Sequence, residues 1–219
     1  MTLSRPELMR LYRRMYRHTG DLRWWPGDTP VEISVGAILT QNTAWTNVEK
    51  AIRRLKAARA LSVGALNRMP HRKLARLIKS AGYFNVKARR LKNFTSFVGR
   101  RYGGSLKKMF RQNNIASLRA ELLAVNGVGP ETADSILLYA AAKPVFVIDA
   151  YTKRILARHG VLSMDKSYDE FQALFTDRLP RDAALYNQYH AMFVRLGNRY
   201  CRSTPRCGEC PLRGWRGAP

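Results

Sequence analysis

Nine residues, Asn126 to Asp134, read NGVGPETAD. Glycine at 127 and 129 permits positive φ and lets a backbone come close to a ligand. Pro130 suits the first helical position, where its missing N–H leaves no hydrogen bond unmade. Two short helices joined here would turn free N–H groups outward, with the positive end of a helix dipole behind them, which suits a phosphate. A plain glycine stop between two helices uses the same residues. Asp149 also has two uses. It ends the apolar run PVFVI and opens AYTKRIL, so it is a good helix N-cap; it is equally a carboxylate able to steady a developing cation. Cys201, Cys207 and Cys210 are separated by five residues and then two. Three thiols so close suggest a metal site in a reducing compartment, not a disulfide framework.

Charge weighs between these uses. Lysine and arginine number 39 against 15 acids, a net charge of +24. Such a field attracts a polyanion and destabilises the compact state by self-repulsion when none is bound. The charges are spread along the chain, which favours nucleic acid over a membrane surface. No apolar run reaches the roughly 20 residues of a transmembrane helix. The N-terminal MTLSRPELMRLYRRMYRHTG lacks the apolar centre of a secretory signal. A cytoplasmic, nucleoid-associated bacterial protein acting as a monomer is expected.

The elements that must position these residues read as helices. Leu8, Leu11 and Met15 share one face. The loop DLRWWPGDTP follows, and a helix begins near Val31. Trp45, Val48, Ile52 and Leu55 mark another. Ser62 caps a short one ended by Pro70. Leu74, Leu77 and Ile78 follow, then Ala88, Leu91, Phe94 and Val98 opposite a basic face that includes Lys87, Arg89, Arg90 and Lys92. Further helices are predicted over 117–125, 131–142, 149–159, 169–179 and 183–197. The run PVFVI is too short and isolated to need a sheet.

The segment LLAVNGVGPETADSILLYAAAKPVFVIDAYTKRIL resembles the hairpin-plus-aspartate signature of the endonuclease III superfamily of DNA glycosylases. The resemblance extends to ISVGAILTQNT and SAGYFNVKARRLKNF, and with WWP at 24–26 it is closest to the bacterial endonuclease III-type 3-methyladenine glycosylase branch. It implies an all-α, two-lobed helix–hairpin–helix fold. One six-helix lobe would span 29–142, and residues 1–28 with 143–219 would form the other. DNA would lie in a cleft between them. The partner implied is double-stranded DNA holding a damaged base, extruded before its N-glycosidic bond is broken.

The resemblance assigns roles residue by residue. Asp149 matches the essential aspartate. Asn126, Gly127, Val128, Gly129, Glu131 and Thr132 form the phosphate-gripping hairpin. Gln41 and Tyr83 match positions that enter the duplex, and Lys87 lies on the basic face that would meet phosphate. Trp24, Trp25 and Trp45 are the base-pocket aromatics, Trp25 first; packing with Val48, Ile52 and Leu55 is the other use of Trp45. Bifunctional members carry a lysine nucleophile where this chain has Glu131, so the resemblance is to an enzyme that leaves an abasic site. The tail CRSTPRCGEC resembles an iron–sulfur loop but supplies three of four thiolates, with Arg216 in the fourth place. A cofactor is therefore not required, and the loop reads as an incomplete cluster site. The expected substrate is an alkylated purine such as 3-methyladenine. The alternatives are a glycosylase, with or without lyase activity, for oxidised pyrimidines or mismatched thymine or uracil, and a non-catalytic hairpin protein that only grips DNA.

Overall fold

The structure, a computed structural model, describes residues 3–112 and 114–217. Among these residues twelve α-helices follow in order: α1 Arg5–Thr19, α2 Pro30–Leu39, α3 Trp45–Ala57, α4 Val63–Arg68, α5 His71–Leu77, α6 Phe84–Tyr102, α7 Leu106–Phe110, α8 Ile115–Leu123, α9 Pro130–Ser135, α10 Ala150–Arg158, α11 Tyr168–Thr176 and α12 Ala183–Arg199. No strand occurs among the described residues, and no helix there is long and apolar enough to cross a membrane. The fold is all-α.

Short polar residues start many of the helices. Thr29 accepts from the Glu32 N–H, Ser62 from Ala65 and Asn114 from Ser117, each satisfying a donor that the first turn leaves open. Ser4 and Glu7 make a reciprocal capping box on α1. Because Asn114 is the cap, α8 begins at Ile115 and not at Ser117. Helix α7 was not expected; it is too short to show a period, and its one local signal is Ser105, whose hydroxyl accepts from the Lys108 N–H. The predicted helix 131–142 is α-helical only through Ser135 and then takes a π turn, Ile136–Ala140. Apolar spacing alone does not separate i+4 from i+5 hydrogen bonding.

The chain divides into two compact units, Pro26–Lys143 and Met1–Trp25 with Pro144–Pro219. In the first, α6 buries Ala88, Leu91, Phe94 and Val98, and α4 and α5 pack against it. In the second, α12 buries Tyr186, Tyr189 and Phe193. Phe146 of the extended run PVFVI stacks on Phe175 at 3.9 Å between ring centroids, and Tyr189 donates to the Leu8 carbonyl at 2.8 Å. A Cβ on Gly197 would lie 2.5 Å from the Tyr151 side chain, so only glycine lets α12 come this close to α10. These contacts anchor both sides of Asp149.

Candidate functional site

In the unit Pro26–Lys143, the two hairpin glycines answer different needs. Gly127 has φ +93°, and a Cβ there would fall 2.2 Å from Arg90 Cγ; the conformation and the neighbour both demand glycine. Gly129 is extended, φ −90° and ψ 178°, which any residue adopts, and a Cβ there would meet no atom within 4 Å. The space over Gly129 is open. Val128 is buried and donates its N–H to the Val125 carbonyl at 2.9 Å. The N–H groups of Gly127 and Gly129 make no hydrogen bond among the described residues. Two backbone donors beside open space make a place for an anion.

Side chains brace this loop from behind. Gln41 Nε2 donates to the Gly127 carbonyl at 3.0 Å and to Thr132 Oγ1 at 2.9 Å, and Gln41 Oε1 accepts from Arg90. Asn93 donates to the Asn126 carbonyl at 3.0 Å. Fully buried Asp134 accepts two bonds from Arg119, at 2.7 and 3.1 Å, tying α8 to α9 in the two-pronged geometry of a strong ion pair. Asn126, Gly129 and Glu131 are exposed, whereas Thr132 is buried. Gln41, expected at a position that enters a duplex, here has its amide engaged by the hairpin. Tyr83, the other such residue, is 72% exposed with φ +43°.

Lys87 corrects the sequence reading. It is not on a solvated basic face but 1% exposed. Its ammonium donates to the carbonyls of Leu39 at 2.8 Å and Ala81 at 2.6 Å, the ends of α2 and of the turn before α6. Position 87 is four residues before Leu91, on the inner face of α6. Burial, with help from Arg90, pulls its pKa down to about 8, still high enough to keep it charged at neutral pH; being buried, it does not meet a phosphate. Trp45 opens α3, half-buried, and donates its indole N–H to Glu49 at 2.9 Å; its in-phase partners Val48, Ile52 and Leu55 are buried.

In the other unit, Asp149 caps α10. Its Oδ1 accepts from the Thr152 N–H at 2.7 Å, and its Oδ2 lies 3.8 Å from His190 Nε2. The carboxylate is only 8% exposed. Burial lowers the His190 pKa, with Asp149 pulling the other way, so the ring is neutral at pH 7. The sequence reading missed His190, although it shares the helical phase of Tyr186, Phe193 and Gly197. Trp24 and Trp25, in the same unit, are half-buried and meet edge to face at 5.9 Å.

The tail offers no fourth thiolate. Cys201, Cys207 and Cys210 are free and half-buried. The Cys210 thiol is pushed up by burial. Arg216, in the place of the fourth ligand, donates to the His159 carbonyl at 3.3 Å, and a guanidinium does not ligate iron. The residues do not fit a four-thiolate cluster. Histidines distant in sequence do return to this region: His159 packs on Trp215 and His18 on Tyr200. Even so, no cluster of three His, Cys, Asp or Glu residues able to hold a metal occurs among the described residues.

Residues 35–181 match the family described as HhH-GPD superfamily base excision DNA repair protein. The chain is 44% identical, over 94% of both chains, to a candidate DNA repair glycosylase of Methanocaldococcus jannaschii. It is 28% identical to endonuclease III of Thermotoga maritima, over 84% of this chain and 81% of that one. Among solved structures, 3-methyladenine DNA glycosylase of H. pylori, bound to 1,N6-ethenoadenine, superposes with a TM-score of 0.75 and 27% identity, over 90% of this chain and 98% of that one.

Proposed function

The chain belongs to the HhH-GPD superfamily of base excision DNA repair proteins, and we propose that this DNA repair glycosylase releases alkylated purines, 3-methyladenine first, and leaves the strand uncut. The observation that carries the second half is Glu131, exposed in the first turn of α9. A carboxylate there forms no Schiff base with the sugar, so it opens no route to strand cleavage. Its charge instead suits the positive end of the helix.

The chemistry then falls to Asp149 and water. The C1′–N bond breaks with its electron pair going to the base, and positive charge builds on the sugar. The carboxylate steadies that charge, water adds to C1′, and its proton passes to Asp149. Thr152 fixes one carboxylate oxygen; the other is left to the sugar and the water. Nothing in this step draws on a metal.

Alkylation at N3 or N7 leaves a purine cationic, so the base departs neutral and needs no dedicated acid. A cation over an indole face gains about 1–2 kcal/mol once desolvated, and Trp25 and Trp45 are each a candidate for such a face. The identity to a 3-methyladenine glycosylase supports the same choice. The backbone donors of Gly127 and Gly129 would hold a phosphate without reading sequence, with Tyr83 as the wedge.

The test is competitive excision from methylated DNA and from duplexes holding thymine glycol or a G·T mismatch, with borohydride added to parallel samples. Release of 3-methyladenine or 7-methylguanine, weakened by Trp25→Ala or Trp45→Ala, with strand breaks only after alkali, is expected. Preference for thymine glycol or mismatched thymine, or an efficient borohydride-trapped adduct, would overturn the reading.

A further inference from the structure

The unit that holds Asp149 carries a second basic surface, lined by neither Asp149 nor the Trp24–Trp25 pair. It is a cavity of about 670 Å³ between α1 and the C-terminal segment. Arg10, Arg13, Arg14, Arg17 and Arg216 line it, with Glu7 as its one acid. Glu7 is engaged by the Ser4 cap, accepting at 2.7 and 2.6 Å. Arg14 is engaged as well, donating to the carbonyls of Pro211 at 2.6 Å and Arg213 at 2.5 Å and so fastening the tail to α1.

Arg10, Arg13 and Arg17 are left. All three are exposed, and they make no hydrogen bond or ion pair among the described residues. Their spacing sets them along one side of α1 over roughly 10 Å, at 1.5 Å per residue. A strand that keeps the stacking of a duplex carries about three phosphates in that length. Beside them Tyr16 is 41% exposed and stacked on Tyr12 at 5.8 Å. Cations alone would serve any acidic partner. An aromatic face next to a cationic stripe fits a polyanion that carries flat rings.

We propose that this groove binds an unpaired nucleic-acid strand, with phosphates on Arg10, Arg13 and Arg17 and a base on Tyr16. It is a second DNA contact besides the hairpin, and it does not depend on which base is excised.

The test is the binding of a dye-labelled oligothymidylate to the full chain by fluorescence anisotropy across a salt series. Each single-strand phosphate contact contributes about 0.7 to the slope of log K against log salt. The R10Q/R13Q/R17Q variant should therefore lower that slope by about 2, and Tyr16→Ala should weaken binding about tenfold at constant slope. If the triple variant melts early, Arg10→Gln and Arg17→Gln singly should each lower the slope by about 0.7. An unchanged slope in these variants overturns the proposal. So does polyglutamate competing as well as the oligonucleotide, which would make the groove a surface for acidic proteins. Failure of the glycosylase reading shows separately, as no base release by the wild-type protein.

Discussion

Asp149 Oδ2 and His190 Nε2 stand 3.8 Å apart inside one unit, beyond hydrogen-bonding distance, while the other carboxylate oxygen is held by Thr152 at 2.7 Å. One oxygen serves the fold and the other faces a ring that is neutral at pH 7. The capping use of the aspartate and its proposed catalytic use can therefore be separated.

Asp149→Asn should retain the cap, since asparagine caps as well as aspartate, and lose the charge. Single-turnover excision should fall about 100- to 1000-fold, roughly 3–4 kcal/mol of transition-state stabilisation, with little change in melting temperature. Asp149→Ala should lose both, costing an additional ~1 kcal/mol of stability. Wild-type excision by the asparagine variant would reduce Asp149 to a cap.

His190 should make both stability and activity sensitive to acid. Burial lowers its pKa in the folded chain, so between that value and the ordinary value of about 6.5 the unfolded chain binds the extra proton. The contribution is present above about pH 6.5 and is lost as the pH falls below it. Protonation would also set a cation beside Asp149 and weaken its field at the sugar. Melting and excision measured from neutral to acid pH should show a shallower decline in His190→Gln than in the wild type. Parallel declines would leave His190 without this role.

The hairpin glycines should separate folding from binding. Gly127→Ala places a Cβ 2.2 Å from Arg90 Cγ at positive φ, and should lose more than about 1 kcal/mol of stability. Gly129→Ala meets no protein atom and should melt like the wild type, yet bind duplex DNA more weakly because its methyl fills the space a phosphate would take. Equal DNA affinity in Gly129→Ala would move the phosphate elsewhere.

Lys87→Met should lower stability at pH 7 by about 1–3 kcal/mol, because the Leu39 and Ala81 carbonyls lose their donor; relief of a buried charge offsets part of the loss. With a folded pKa of about 8, against about 10.4 unfolded, the unfolded chain holds the proton longer. Wild-type stability should therefore rise relative to Lys87→Met between pH 8 and about 10.4. Chemical denaturation at several pH values reads this difference, and a gap that does not vary with pH would show an unperturbed lysine.

Much of the molecule was legible along the chain because the interactions concerned are local. Ser62 caps through the third residue onward, Gly127 turns the hairpin by its own φ, and Asp149 announces both its helix and its family by what flanks it. The helical fold and the hairpin followed from such signals, together with the charge that names a polyanion. Tertiary structure alone decided which polar groups lie inside and whom they meet. Gln41 braces a carbonyl 86 positions away, and Lys87 turns inward to a carbonyl 48 positions away. His190 comes within 3.8 Å of Asp149 where α12 packs on α10, the two helices closing at Gly197 and Tyr151. A local pattern states that a residue is polar and on which helical face it falls. Whether that face is covered, and by which donor or acceptor, depends on packing between segments far apart in the chain.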